Sequence, residues 1–212
     1  MSRYFYADTI ENFINCNPNF VLGTLVRNSP FDITDLQINA WEEEINLLKP
    51  ILMGEKGQII FEYDIPRLGK RIDVVLLLNG IVFALEFKVN AKEYLRQDIE
   101  QVWDYALDLK NFHEASHELT IVPILIATDA KNSSETQKCC IYKDSVFELV
   151  LCNANGIGNI IRQIKSPYAT DRDLKYWKDS RYKPTPTIVQ AASSLYLNHS
   201  VEDITRTEAS GK

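Results

Sequence analysis

A chain of 212 residues, 45% of them hydrophobic, has enough apolar material to bury the core of one mid-sized domain with appendages, without a disulfide or metal staple. Its formal charge of −6 excludes binding to nucleic acid through overall charge, so any such contact has to come from a local basic surface. Cys16, Cys139, Cys140 and Cys152 offer no CxxC pair, MSRYFYADTI lacks a signal peptide's apolar run, and no stretch nears the ~20 apolar residues of a membrane span, so the expectation is a protein of the reducing cytoplasm with no membrane partner.

Residues 1–36 mix apolar residues with Asn, Pro and Asp, and read as one short helix around Thr9 to Asn15 followed by irregular chain. From Leu36 to Leu52, Ile38, Trp41, Ile45, Leu48 and Leu52 recur at helical spacing, with Pro50 placed to shorten or kink the helix. Three strands follow, Gln58 to Asp64, Arg71 to Leu78 and Ile81 to Val89, with turn signals at Pro66 to Gly69 and at Asn79-Gly80, which reads as an antiparallel meander. A long helical pattern runs from Ala91 to Phe112. Leu119 to Ala127 suits a buried strand, and Phe147 to Cys152 can add another. The order helix, three strands, helix, strand implies an α/β sandwich with a mixed sheet flanked by helices.

From Ile164 to Lys183 the chain turns basic and aromatic, with Lys165, Arg172, Lys175, Lys178, Arg181 and Lys183 among Tyr168, Tyr176, Trp177 and Tyr182. Such a segment either grips single-stranded nucleic acid or serves as a solvated interdomain linker. A helix from Ile188 to Asn198 and a start signal at Ser200-Val201-Glu202-Asp203 suggest that the chain leads into a further domain. The expected division is a domain over residues 1–163 and a basic, aromatic linker with the start of the next domain over 164–212.

Asn-Gly between two apolar strands signals a two-residue type I′ turn that sets Leu78 against Ile81, and constant register then sets Leu76 against Phe83, Asp73 against Glu86 and Arg71 against Lys88. Alternation gives one wholly apolar face, Ile72, Val74, Leu76, Leu78, Ile81, Phe83, Leu85 and Phe87, while Arg71, Asp73, Glu86 and Lys88 gather at the far end of the other. Directly opposed carboxylates stand roughly 5 Å apart at Cβ and repel each other. A divalent cation such as Mg²⁺ removes that penalty, and an ammonium two residues from one ligand can stabilise charge developing on a phosphate. The bland alternative is an ordinary charge cluster at a sheet edge.

Arg71-Ile72-Asp73-Val74-Val75 followed by Leu85-Glu86-Phe87-Lys88 resembles the D…ExK signature of the PD-(D/E)xK nuclease superfamily, without the proline of the first motif. Gln101-Val102-Trp103-Asp104-Tyr105 stands where RecB-type members carry Gln-xxx-Tyr, on a stripe with Gln97 nearly opposite Leu95, Ile99, Val102 and Ala106, either solvated or facing substrate. The resemblance implies a restriction endonuclease-like core (α-β-β-β-α-β), catalysis by Asp73, Glu86 and Lys88 with Gln101 and Tyr105, and Mg²⁺ or Mn²⁺ at Asp73, Glu86 and Phe87. Glu44, flanking the apolar stripe of the first helix, and Glu62, on the first strand, are further candidate ligands. The implied activity is phosphodiester hydrolysis of DNA, or else RNA. A likeness to the N-terminal nuclease part of bacterial nuclease-helicase fusions implies an ATPase or helicase partner domain.

Two rivals are weighed. His113-Glu114-Ala115-Ser116-His117 matches HExxH but falls in the connection between a helix and a strand, which does not suit a zinc protease. The stronger rival is a nuclease fold without turnover that binds nucleic acid or protein.

Overall fold

The computed structural model describes residues 2–131, 140–190, 192 and 193. Its elements in chain order are β1 (Tyr6–Thr9), α1 (Ile10–Asn15), α2 (Pro18–Asn28), α3 (Asp35–Ile51), β2 (Gly57–Ile65), β3 (Lys70–Leu78), β4 (Ile81–Lys88), α4 (Arg96–Phe112), β5 (Thr120–Ala127), β6 (Val150–Cys152) and α5 (Ile157–Tyr168). The strands form one open sheet in the order β1-β2-β3-β4-β5-β6, antiparallel from β1 to β4 and parallel from β4 to β6. Among the described residues no helix is long and apolar enough to cross a membrane.

The meander takes the expected register, with Leu78 against Ile81 and Leu76 against Phe83. Asn79 and Gly80 have φ of 48° and 77°, the left-handed pair that a type I′ turn demands. Each sheet face is covered. On one, Phe13, Leu25, Trp41, Ile45 and Ile161 from the helices pack on Phe61, Val74, Leu76, Phe83 and Ile124. On the other, Tyr105, Ala106, Leu109 and Trp177 pack on Ile60, Val75, Leu77, Val82 and Ile121.

The short helix expected around Thr9 to Asn15 is α1, preceded by β1, and the irregular chain expected after it instead contains α2. The Asn and Pro that suggest a loop act there as a helix start, since Asn17 accepts the amide of Asn19 with Pro18 in the first turn, and Val21 and Leu25, one turn apart, are buried. Helix α4 begins at Arg96 rather than Ala91, so Leu95, assigned to its apolar stripe, is an exposed N-cap residue. The last strand starts at Val150 rather than Phe147.

Helix α5 has no counterpart in the expected elements, and the boundary after residue 163 falls inside it. Its Ile157, Ile160, Ile161 and Ile164 are buried. Farther along, Trp177 is only 1% exposed and donates its indole N–H to Ser116 Oγ at 2.8 Å. The basic, aromatic segment is therefore packed against the domain at least at Trp177. Of the expected helix Ile188 to Asn198, the described residues are helical; the rest, and the start signal at Ser200, lie outside the described residues. His113 follows the end of α4 and is wholly buried between Tyr63 and Ser116, so the HExxH histidines do not share a helix.

Candidate active site

Two interruptions in the sheet make the site. Strands β3 and β4 pair from the turn out to Val74–Leu85 and no farther, whereas β4 stays paired with β5 as far as Lys88–Ala127. Between β2 and β3, pairing skips Glu62 and Asp73 while holding at Phe61–Val74 and Tyr63–Ile72. Glu62 has φ 54°, a left-handed conformation that costs a non-glycine residue about 1–2 kcal/mol. Past it the faces exchange. Ile72, assigned by strict alternation to the side of Val74 and Leu76, lies instead with Tyr63 and Ile65 in the α4-side core.

Charged residues fill the resulting fork. Asp73 Oδ2 accepts the amide of Phe87 at 2.7 Å, so this carboxylate bridges β3 to β4 where direct pairing has stopped. Glu86, 3% exposed, receives Lys88 Nζ at 2.9 Å and Gln101 Nε2 at 2.8 Å, both on Oε1. Lys88 Nζ also lies 3.4 Å from Asp98 Oδ1. Gln101 Nε2 donates to Tyr105 OH at 2.6 Å, and Tyr105 donates to the main-chain oxygen of Arg71 at 2.8 Å. A chain of hydrogen bonds thus runs from Glu86 through α4 to β3.

From the opposite layer, α3 presents Glu44, 3% exposed. Glu62 is turned toward the same helix, its Oε1 accepting Trp41 Nε1 at 2.8 Å and Gln37 Nε2 at 3.4 Å. Burial raises the pKa of Glu44 and of Asp73 well above the usual carboxylate range, and neighbouring carboxylates push them the same way: Glu62 and Glu86 on Glu44, Glu86 and Glu44 on Asp73. Burial also raises Glu86, against the pull of Lys88. Burial pulls Lys88 down, but Glu86 and then Asp73 carry it above its ordinary value.

Of the residues singled out from the sequence, Asp73, Glu86, Phe87, Lys88, Gln101 and Tyr105 come together at the fork. Glu44 stands within electrostatic reach of it, and the bonded oxygen of Glu62 is committed to α3. Tyr105, expected on a solvated or substrate-facing stripe, is 1% exposed and supports Gln101 from within the core. Asp98 and Trp41 are additions. Asp98 lies one helical turn before Gln101 on the site-facing side of α4, a spacing that could have indicated it. Trp41 looked like core alone, and its N–H to Glu62 depends on a backbone twist that no residue pattern announces.

Glu44 Oε2 and Glu86 Oε2 are buried without a hydrogen-bond partner. Buried, mutually repelling carboxylates with unused oxygens fit a hard divalent cation, which would remove both penalties. No cluster of three or more Asp, Glu, His or Cys side chains is arranged to hold a metal among the described residues. An ion here would rest on one or two carboxylates completed by main chain and water, the coordination Mg²⁺ favours.

No protein-family model and no curated protein matches this chain. Among solved structures, it is similar to the crystal structure of protein VC1899 from Vibrio cholerae, with 12% identity over 71% of this chain and 42% of that one. The TM-score is 0.32, and the chain spans less than half the length of that protein.

Proposed function

We propose that the fork is the active site of a metal-dependent nuclease of the PD-(D/E)xK type, and that the α/β sheet is the restriction endonuclease-like core of such an enzyme. One observation carries this: Asp73 and Glu86, from neighbouring strands, meet where those strands part, with Lys88 bonded to Glu86 and an unused oxygen buried on Glu86. Carboxylates are not concentrated in a protein interior without compensating positive charge, and a divalent cation beside Lys88 supplies it, leaving an electropositive face for a phosphodiester.

Asp73 and Glu86 would hold Mg²⁺ or Mn²⁺ with the main chain at Phe87, and Glu44 would stand behind them. When bound, the ion polarises the scissile phosphate and acidifies water. Gln101 keeps one Glu86 oxygen engaged and so orients the other. Lys88, a fixed positive charge at the mouth of the site, stabilises negative charge developing on the phosphate oxygens. DNA is the first expected substrate and RNA the second, with the chain acting as the nuclease module of a larger nuclease-helicase protein.

The test is incubation of the protein with labelled single-stranded and duplex DNA and RNA, with Mg²⁺, with Mn²⁺ and with EDTA. Cleavage is expected with either metal and not with EDTA. Binding without cleavage under every metal condition would replace the enzyme with a nuclease-fold binding module.

A further inference from the structure

Beside the carboxylates stands a cation that pairs with none of them. Arg71, on β3, forms no ion pair among the described residues, although its charge is felt at Glu62. Its guanidinium is held by rings instead, with Cζ 4.6 Å from the centroid of Phe5 and 5.6 Å from that of Phe31. Its Nε is buried without a partner, while its main-chain oxygen is fixed by Tyr105. Phe5 belongs to the core, but Phe31 is 67% exposed. Nor does its loop leave it adrift, since the Ser29 hydroxyl meets both the amide and the carbonyl of Phe31 at 3.3 Å.

We infer that Phe31 and Arg71 form a binding platform for single-stranded nucleic acid, Phe31 stacking on an unpaired base and Arg71 taking the adjoining phosphate as the strand enters the fork. A guanidinium next to an acid cluster ordinarily pairs with a carboxylate, whereas one held by aromatic faces keeps its donor fork free for an anion. The anion that the fork is built to process is a phosphodiester. An exposed ring one guanidinium away lies within a nucleotide's reach of that phosphate, and an aromatic face binds any unstacked base. Bases inside a duplex are already stacked on each other, so the ring selects single strands or frayed ends. DNA and RNA share this chemistry.

The platform presupposes the nuclease proposed above, and the experiment separates the two. Binding of fluorescein-labelled single-stranded DNA and RNA, intact or abasic along their length, is measured by anisotropy with Ca²⁺ to hold the metal site without turnover. Phe31→Ala should weaken binding of the intact strand about tenfold. It should leave the abasic strand unchanged, and Phe31→Trp should restore affinity. Phe20→Ala, at a residue 63% exposed on α2, is the control and should change nothing. Arg71→Gln should lower the slope of log affinity against log salt by about one for both strands. Unaltered affinity in Phe31→Ala, equal losses on intact and abasic strands, or no wild-type binding of either polymer overturns the platform. Cleavage with Mg²⁺ or Mn²⁺ is scored separately. A strand bound with this signature but never cut removes the nuclease and keeps the platform, whereas cutting with an unaffected Phe31→Ala does the reverse.

Discussion

Lys88 carries the charge on which the proposed reaction turns, and it contributes little to the core, being half-buried at the end of β4. Lys88→Ala should therefore leave the far-ultraviolet circular dichroism unchanged while reducing cleavage by ~10²–10³, the usual loss for one preorganised charge stabiliser. Wild-type cleavage by the variant would remove Lys88 from the chemistry. Glu44 predicts the opposite balance between stability and function. Its carboxylate is buried, partly unpartnered and repelled by Glu62 and Glu86. Glu44→Gln should raise the metal-free melting temperature by roughly 2–4 °C, corresponding to about 1 kcal/mol. It should also shrink the further rise produced by Mg²⁺, because less repulsion remains for the ion to relieve. Thermal scans with and without Mg²⁺ test both statements, and a lower metal-free midpoint would refute the first.

At the scale of elements, α4 aligns the fork from one side. Gln101 touches Glu86 directly, so Gln101→Ala frees that carboxylate without opening the core and should reduce metal affinity or activity by ~10–100-fold. Titrating Mg²⁺ against cleavage rate would show it as a displaced metal midpoint, and an unchanged midpoint and rate would leave Gln101 without a positioning role. How much of this was legible in the residues depended on how local each signal was. The β3–β4 register could be read because Asn79-Gly80 sets it within two residues, and α3 because its stripe from Ile38 to Leu52 runs for about four turns. The fork could not. The β3–β4 ladder stops at Val74–Leu85, beyond which Asp73 gives its carboxylate to the Phe87 amide, and the β2–β3 ladder skips Glu62, which turns left-handed; a period-2 pattern is blind to both. Helix α2 was hidden because its cap, Asn17-Pro18, has the composition of a loop, and Tyr105 because its hydroxyl makes it look polar on a helical wheel when its partners are internal.

The whole molecule has a pH dependence of its own. His113 is wholly buried, and burial, followed by the charge of Arg3, holds its pKa down at about 3. A folded-state value below the unfolded 6.5 means that the unfolded chain takes the proton first, so the stability due to neutral His113 is complete above pH 6.5 and is lost as pH falls toward 3. Between pH 6.5 and 5 the loss amounts to about 2 kcal/mol. The carboxylate cluster works in the other direction, because raised folded-state values favour the fold as those groups take up protons. Comparison with His113→Asn isolates the imidazole. The wild-type advantage in urea unfolding should shrink by about 2 kcal/mol from pH 7 to pH 5, and a constant gap would refute the assignment.

Spatial strand order repeats chain order from β1 to β6, so during synthesis each strand emerges directly beside the edge it will extend. By the time Lys88 has left the ribosome the meander can be complete, carboxylates included, but β4 then offers a bare edge along Ile81–Lys88 whose neighbour, β5, ends only at Ala127. Translation of residues 89–127 is the interval in which this apolar edge is open to pairing with another nascent chain. Once closed, the sheet has a four-residue strand at one end and a three-residue strand at the other, edges too short to template that pairing.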